Sequence, residues 1–496
     1  MRILIDTNVF IYREDDHVVS DSLLKLLAIV NDSGIPLLVH PSSKEDLSND
    51  INSKRKTIML SKIGAYPVLE SPPNYENDMD YCHLIEGTND KNSRIDNSIL
   101  YSLYKDAVDF LITEDREIHK KALRLHIEDR VLLIDDALNF LDRTQDKIVT
   151  PPALILIPVY NLNLKDPIFD SLKSSYIEFE DWFKKISREG RKAWVYFRED
   201  GSIGALLIFK IEDEAIVGTP SLPRKIRLKI SSFKVTHVGY KIGELFIRIA
   251  CDMCVRNQID EIYFTYFPNT DNRLIDLVSA YGFINKSINR RGEEVYVKET
   301  IPPFSIRTKL TPLELSTNYF PSFCDSPTVN KYIIPIRPEY HYRLFTDSEE
   351  RQLSEIESKG FLTEGNTIRK AYVCHAKIRK MKPGDIILFY LSGKKTVTTL
   401  GIVESVDYNL SSGAEILRKV GKRTVYSAQE LEIKAQKPTV VIIFRYHFRL
   451  KNKVPFNSLK TDNILKGPPQ SITQITQNGY DKLAKMDGID GRYIIH

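Results

Sequence analysis

The chain has 496 residues, of which 42% are hydrophobic and 27% are charged, and its formal net charge is +4. This composition is typical of globular domains, and the length predicts roughly two to four of them. So small a charge indicates a polyanionic partner only if the basic residues cluster. No apolar run approaches the roughly 20 residues of a membrane span. A strand-like pattern directly follows Met1, where a signal peptide would stand, so we expect a cytoplasmic protein that does not enter a membrane.

The cysteines lack the pattern of a disulfide framework. Their number is odd and their spacing irregular, which favours a reducing compartment; they are Cys82, Cys251, Cys254, Cys324 and Cys374. Cys251 and Cys254 form a C-x-x-C, but no second pair follows, and the segment ELFIRIACDMCVRNQ has the apolar spacing of a helix. We therefore interpret both as small core residues rather than metal ligands.

Proline-rich seams divide the chain into three blocks, 1–148, 151–302 and 330–496. The first block alternates short apolar strands with helices. In chain order we predict strand 3–6, helix 20–31, strand 35–39, helix 42–60, strand 67–69, helix 95–104, strand 108–112, helix 115–124, strand 131–134 and a closing helix. Such alternation predicts an α/β fold whose parallel sheet is covered by helices on both faces.

Acidic residues of the first block stand at the ends of these elements. Asp6 and Asp115 follow predicted strands, and Asp46 and Asp96 stand where helices are predicted to begin, with Ser42 or Ser43 as the cap of the first helix. A parallel sheet gathers such positions at one edge. Four close carboxylates repel one another, and a hard divalent cation removes that conflict. A pair of cations can hold a phosphodiester and activate water. For Asp46 and Asp96, helix capping is an equally good explanation.

Four segments, ILIDTNVFI, HPSSKEDL, RIDNSIL and LITEDREI, closely resemble in this order the PIN-domain nucleases, which include toxins of bacterial toxin–antitoxin pairs. The resemblance covers about residues 1–140 and implies an endoribonuclease that depends on Mg²⁺ or Mn²⁺. It implies four catalytic acids, with the first, third and fourth as metal ligands: Asp6, Asp46, Asp96 and Asp115. Asn8 and Thr113 match polar residues that support the metal site. Glu45 is the alternative to Asp46, which we prefer because it precedes Leu47.

The second block has a mixed pattern. RKAWVYFRED and GSIGALLIFKIEDE predict a β-hairpin around Asp200-Gly201. KIRLKISSFKV is a further strand, followed by a long helix from about Lys241, strand EIYFTYF, helix LIDLVSAYGF and strand EEVYVKE. Gly239 and Gly243 lie in the loop before the long helix, and such a loop can present backbone N–H groups to a pyrophosphate.

Residues from about 170 to 300 resemble the GNAT acyltransferase fold. The resemblance implies an acetyl-CoA site at the loop, formed by Val238, Gly239, Lys241, Ile242 and Gly243. Lys241 stands where the family has its middle glycine, and Val278 stands near the place of its tyrosine acid. His237 is a candidate base, although a structural role is the commoner one for a lone histidine. The alternative is a GNAT-shaped domain used for packing or recognition.

The third block is rich in strands, with KAYVCHA, DIILFYL, VTTLGIVESV and TVVIIFRYHF, and GPPQSITQIT is predicted to begin a helix. This pattern predicts a small β-barrel and resembles the PUA-like superfamily, especially ASCH and EVE-type domains. These bind RNA or modified bases, and we take Tyr390, Ser392 and Arg445 as candidate nucleic-acid contacts. Alternating basic and aromatic residues can also be the outer and inner faces of a strand.

The favoured function is thus a metal-dependent endoribonuclease, a toxin or stress effector whose C-terminal domain selects RNA. Family analogy suggests an antitoxin partner and a homodimer. One alternative is an N-acyltransferase whose flanking domains recruit its substrate. The other is a non-catalytic RNA-binding regulator.

Overall fold

The computed structural model describes residues 1–14, 20–48, 53–85, 91–142, 154–198, 200–236, 241–268, 273–345, 367–423, 425–487, 489 and 491–496. The chain forms two compact units. The N-terminal unit comprises Met1–Lys147 and Asn409–Val441, and the C-terminal unit comprises Ile148–Tyr408 and Ile442–His496. The chain is therefore an α/β protein of more than one domain. The boundaries of the three blocks stay predictions, since the two units divide the chain differently.

The N-terminal unit is built on a four-stranded sheet of order β2-β1-β3-β4. All its pairings are parallel, as predicted. The strands are β1 (Ile3–Ile5), β2 (Leu37–Val39), β3 (Phe110–Ile112) and β4 (Val131–Leu132). The helices are α1 (Thr7–Glu14), α2 (Asp21–Asp32), α3 (Pro41–Leu47), α4 (Ser53–Ile63), α5 (Met79–Ile85), α6 (Lys91–Tyr104), α7 (Arg116–Arg124) and α8 (Ile134–Asp142).

Side chains of this sheet alternate between two hydrophobic clusters. Ile5, Val39 and Ile112 pack with residues of α2 and α8. Leu4, Leu38 and Leu111 pack with residues of α5, α6 and α7. The sheet is therefore covered on both faces, which explains why its short strands carry almost no polar residues.

Three local predictions in this unit are wrong. The helix predicted over 42–60 is two helices, α3 and α4, and His40 rather than Ser42 or Ser43 caps α3, its Nδ1 accepting from the Ser42 N–H. The strand predicted at 67–69 is a single bridge between Val68 and Val39. Pro41 explains the change of cap, because proline fits the first position of a helix and leaves the preceding residue extended as the cap.

The central part of the C-terminal unit is an eight-stranded mixed sheet of order β5-β6-β7-β9-β10-β12-β11-β8. Its strands are β5 (Leu154–Pro158), β6 (Lys192–Phe197), β7 (Ile203–Ile216), β8 (Gly218–Thr219), β9 (Leu222–Val235), β10 (Glu261–Tyr266), β11 (Phe283–Asn289) and β12 (Glu294–Glu299). Its helices are α9 (Asp170–Ser175), α10 (Phe179–Arg188), α11 (Ile242–Asn257) and α12 (Arg273–Ser279). The predicted hairpin is confirmed, because β6 and β7 pair antiparallel around Gly201, whose φ is +81°.

The remainder of the chain adds a six-stranded sheet of order β15-β18-β17-β16-β14-β19 and a parallel pair, β13-β20. The strands are β13 (Phe323–Cys324), β14 (Lys331–Ile336), β15 (Arg369–Cys374), β16 (Ile386–Leu391), β17 (Thr396–Leu410), β18 (Thr439–Pro455), β19 (Thr473–Ile475) and β20 (Ile494–Ile495). The helices are α13 (Phe304–Arg307), α14 (Pro312–Asn318), α15 (Pro338–Leu344), α16 (Gly413–Val420), α17 (Ala428–Ala435), α18 (Phe456–Thr461) and α19 (Gln477–Asp487). The segment GPPQSITQIT forms β19 instead of starting a helix, and α19 follows it. Closure of the sheet into a barrel stays a prediction.

Helices α16 and α17 lie between β17 and β18 along the chain, yet they belong to the N-terminal unit. Arg418 Nε donates to Asp109 Oδ1 at 2.8 Å, and Arg423 Nε donates to Asp129 Oδ1 at 2.8 Å. Leu417 packs against the hydrophobic cluster of α2 and α8. Residues 409–441 thus complete the N-terminal unit from a distant part of the sequence.

Candidate active site

Three polar residues stand side by side at the carboxyl edge of the N-terminal sheet. Ile5 pairs with Val39 on one side and with Ile112 on the other. The residues that follow these three, namely Asp6, His40 and Thr113, therefore occupy neighbouring positions about 4.8 Å apart. The parallel ladder continues through this level, since Asp6 N–H donates to Ile112 O at 3.0 Å. This is the edge at which open α/β sheets bind ligands.

Asp6 is held by a network of short polar side chains. It is only 3% exposed. Its Oδ2 accepts from the Thr113 hydroxyl at 2.6 Å, and its Oδ1 accepts from the Thr7 N–H at 2.7 Å. Asn8 Nδ2 donates to the same Thr113 hydroxyl oxygen at 3.3 Å. Asn8 and Thr113 thus orient Asp6, the supporting position that the sequence predicts for them.

Asp115 caps helix α7, a role that its place after a strand did not suggest. Its Oδ1 accepts from Glu117 N–H at 2.7 Å and from Ile118 N–H at 3.1 Å. Its own N–H donates to Thr113 Oγ1 at 2.9 Å, which links it to the network around Asp6.

Asp46 and Asp96, in contrast, do not cap helices. Asp46 is the sixth residue of α3 and Asp96 is the sixth residue of α6, so neither lies in a first turn. The expectation that both stand at helix starts is wrong. Glu45, the alternative to Asp46, is exposed, whereas Asp46 is partly buried.

The four acids lie close enough to perturb one another. Burial raises the pKa of Asp6 to about 6 against hydrogen bonds from Thr113 and Thr7 that lower it, and the charges of Asp115 and Asp46 raise it further. Burial also raises the pKa of Asp96 to about 7, with further contributions from Asp6 and Asp115. For Asp46, burial raises the pKa and the Thr7 hydroxyl opposes the rise. The carboxyl edge therefore carries negative charge that the protein only partly neutralises.

The donor set of this edge suits a hard cation. Among the described residues, no three side chains of histidine, cysteine, aspartate or glutamate lie together closely enough to hold a metal ion by themselves. Mg²⁺ does not need such a cage, because it keeps several waters and commonly binds one or two carboxylates. Burial and mutual repulsion raise the pKa of these carboxyl groups, and a bound cation would stabilise their ionised form.

A buried lysine beside Asp96 was missed by the sequence analysis. Lys121 is 6% exposed, and its Nζ donates to Asn97 Oδ1 at 2.7 Å. Its charge lowers the pKa of Asp96 and so offsets part of the repulsion. The sequence did hold a signal, since Lys121 lies on the apolar face of α7 with Ile118, Ala122 and Leu125.

The second predicted site is only partly described. His237, Val238 and Gly239 lie outside the described residues. Lys241 is the cap of α11 with φ +51°, and no side chain hydrogen-bonds the first N–H groups of this helix from the cap position. Gly243 approaches α12 closely, because an added Cβ would lie 2.7 Å from a Leu277 methyl. Val278 is fully buried.

Strands β9 and β10 diverge in front of helix α11. They pair in parallel over Arg227 to Lys229 and Glu261 to Tyr263. Beyond this point β9 remains paired with β7, and β10 remains paired with β12. The two strands thus separate toward their carboxyl ends. Cys251 and Cys254 lie in the core, and burial raises the pKa of both thiols, that of Cys251 to about 12. Their interpretation as core residues is confirmed.

The three candidate contacts of the third block differ in their exposure. Tyr390 is buried within a hydrophobic cluster, and Ser392 is exposed. Arg445 is buried, forms an ion pair with Glu404 at 2.5 Å, and lies over the ring of Tyr281. Arg445 thus already has an acidic partner inside the unit.

Comparisons with known proteins give structural similarity alone. No protein-family model and no curated protein matches the sequence. An ASCH protein from Zymomonas mobilis aligns with 32% of this chain and 94% of its own, at 15% identity and a TM-score of 0.24. A GNAT-family acetyltransferase from Staphylococcus aureus aligns with 30% of this chain and 99% of its own, at 16% identity and a TM-score of 0.22. The N-acetyltransferase PseH from Campylobacter jejuni gives the same coverage, 13% identity and a TM-score of 0.21. Scores this low carry no functional weight.

Among the described residues, no helix is long and apolar enough to cross a membrane.

Proposed function

We propose that the N-terminal unit is a metal-dependent phosphodiesterase that cuts RNA internally, as a PIN-type nuclease does. Of the predicted ligands Asp6, Asp96 and Asp115, one or two at a time would bind a hydrated cation, and Asp46 would be the fourth acid. The observation that carries the proposal is that Asp6 and Asp96 lie near each other at one sheet edge, where burial and like charges raise the pKa of both. A cluster that repels itself in this way has no use in stabilising a fold.

Helix capping does not account for the cluster. Asp115 caps α7 and Asp6 accepts from the first N–H of α1, but Asp46 and Asp96 lie away from the helix starts. Asp96 is partly buried beside like charges, which costs free energy unless a cation is present. A bound divalent cation polarises a phosphodiester and lowers the pKa of a water molecule.

The chain's own residues would prepare this site. Thr113 and the Thr7 N–H fix both oxygens of Asp6, and the first turn of α7 fixes Oδ1 of Asp115. Such fixed ligands need little reorganisation when a cation binds. Lys121 moderates the charge around Asp96 without touching Asp6, so the site keeps its net negative character.

Cleavage of labelled RNA tests the proposal. Purified protein should cut RNA in Mg²⁺ or Mn²⁺ and not in EDTA. Asp6→Asn should lower the rate by roughly a hundredfold or more, because it removes several kcal/mol of metal-dependent stabilisation. Asp32→Asn, at an exposed acid of the same unit, is the matched control and should cut normally. Equal cutting by Asp6→Asn and wild type would assign the activity to another site or a contaminant.

Selection of RNA by the C-terminal unit, an antitoxin partner and a homodimer extend this proposal and remain predictions. Arg379, Lys380 and Lys382 provide a basic stretch before β16, and such a stretch can neutralise phosphates. Arg445 is less suited to this task, since Glu404 already pairs with it.

A second candidate function is acyl-CoA binding by the central sheet. The divergence of β9 and β10, together with the start of α11, favours it, because such a helix N-terminus is a ready anion site. Val278 cannot transfer a proton, so binding is the expected activity rather than acyl transfer. Millimolar acetyl-CoA should raise the melting temperature, and an unchanged melting temperature would remove this candidate.

A further inference from the structure

His40 stands beside Asp6 at the carboxyl edge and takes no part in the sequence-based site. Its backbone is extended, with φ −77° and ψ 143°. Side chains alternate along a strand, and Val39 points to the cluster of α2 and α8. His40 therefore points to the opposite face, the one shared by Leu38 and Leu4. By the same alternation, Asp6 and Thr113 point to that face.

The imidazole of His40 has one nitrogen in use and one without a partner. Nδ1 accepts from Ser42 N–H at 3.1 Å and so carries no proton. A neutral imidazole must then carry its proton on Nε2. Burial lowers the pKa of His40 to about 4, which keeps the ring neutral near pH 7. Nε2 is buried and has no hydrogen-bond partner among the described residues, and His40 as a whole is 3% exposed.

A buried N–H group without a partner calls for an explanation, because nearly all such groups are paired in folded proteins. Here the fold holds the ring through Nδ1 and leaves Nε2–H on the face toward which Asp6 points. The oxygens of Asp6 already accept from Thr113 and Thr7. A ligand bound at this edge can supply the missing acceptor.

We infer that His40 Nε2–H is a substrate-binding donor that holds a non-bridging oxygen of the RNA phosphodiester at the acidic edge. This inference rests on the proposed nuclease function. A neutral donor suits the position. It can bind a phosphate oxygen, whereas a positively charged donor would pair more strongly with the acids that are to hold the metal ion. His40 contributes binding and orientation and transfers no proton.

Two variants separate this role from the capping of α3. His40→Asn keeps a favoured cap residue, whose oxygen replaces Nδ1 as acceptor, and removes the Nε2 donor. His40→Gln places an amide N–H near the position of Nε2. His40→Asn should melt like wild type and lose about tenfold or more in kcat/KM for RNA. His40→Gln should recover part of that loss.

Binding gives a second measurement that does not need turnover. A fluorescent oligoribonucleotide, titrated in Ca²⁺ and followed by anisotropy, should bind His40→Asn roughly tenfold more weakly than wild type. If wild type does not cut RNA in an Asp6-dependent way, the nuclease proposal fails, and the titration still decides whether His40 contacts the nucleic acid. If wild type cuts and His40→Asn matches it in kcat/KM and in binding, the inference about His40 alone is overturned.

Discussion

Glu261 of the C-terminal unit, which is buried, and Asp96 of the N-terminal unit, which is partly buried, are two carboxylates in opposite environments. In the C-terminal unit, Glu261 is 5% exposed, and Arg227 Nε donates to it at 2.6 Å. Burial alone would raise the pKa of Glu261, but hydrogen bonds from Lys225 and Arg227 lower it overall. In the N-terminal unit, burial and like charges raise the pKa of Asp96, and Lys121 offsets only part of the rise. A carboxylate paired with cations serves the fold, whereas the acidic edge carries charge that the fold does not need.

The largest expected effect on stability comes from breaking the pair in the C-terminal unit. Glu261→Gln leaves the guanidinium of Arg227, which is 1% exposed, without its carboxylate. We expect a loss of about 3 kcal/mol in the free energy of unfolding, measured in urea, since a buried charge that loses its partner is costly. Glu214→Gln, at an exposed position, should change stability little. A Glu261→Gln variant as stable as wild type would remove the contrast between the two sites.

At the acidic carboxyl edge of the N-terminal sheet, removing a carboxylate is expected to raise stability rather than lower it. The folded pKa of Asp96, about 7, lies above its ordinary value of 3.8. The stability from this group is therefore fully present below about pH 4 and is lost as the pH rises through about 7. Asp96→Asn removes this titration. In EDTA at about pH 8 it should be more stable than wild type by about 1–2 kcal/mol.

The pH dependence provides the control for Asp96→Asn. The difference from wild type should shrink as the pH falls from about 8 to about 5, while Asp32→Asn should show no such trend. Destabilisation by Asp96→Asn at about pH 8 would mean that the carboxylate serves the fold after all.

The smallest effect concerns residues 409–441, the insertion that completes the N-terminal unit from a distant part of the sequence. Arg423→Ala removes the bond to Asp129, which is itself buried. We expect a loss of about 1 kcal/mol for the N-terminal unit, measured by hydrogen exchange in β3 and α7. Lys25→Ala, at an exposed residue of α2, should leave exchange unchanged. Unaltered exchange in Arg423→Ala would indicate that Leu417 and the other apolar contacts hold the insertion.

The same contrast shows how far the sequence could predict the structure. The parallel sheet was predictable because β1 and β3 are short apolar runs, and Asp6 and Thr113 follow them directly. The roles of the acids were partly inverted. Capping was an equally good explanation for Asp46 and Asp96, but it is Asp115 whose carboxylate binds two N–H groups of a helix. Helix starts depend on local competition for N–H groups, and Pro41 moved one of them.

Long-range pairing explains the remaining failures. Arg418 and Arg423 lie about 300 positions from the aspartates that they bind, and no local pattern reveals such a pair. Lys121 stood on an apolar helix face and could have been noticed. The role of His40 depends on which nitrogen Ser42 engages, and only coordinates reveal that.

Metal binding by the acidic edge is the most direct measurement of the central claim. Mn²⁺ can be titrated into the full-length protein at about pH 8 and its free fraction followed by electron paramagnetic resonance. Wild type should bind at least one ion, with affinity that falls as the pH drops through about 7 and about 6, where protons compete for Asp96 and Asp6. The double variant Asp6→Asn, Asp96→Asn should lose this binding. No Mn²⁺ bound by wild type, or equal binding by the double variant, would contradict the account.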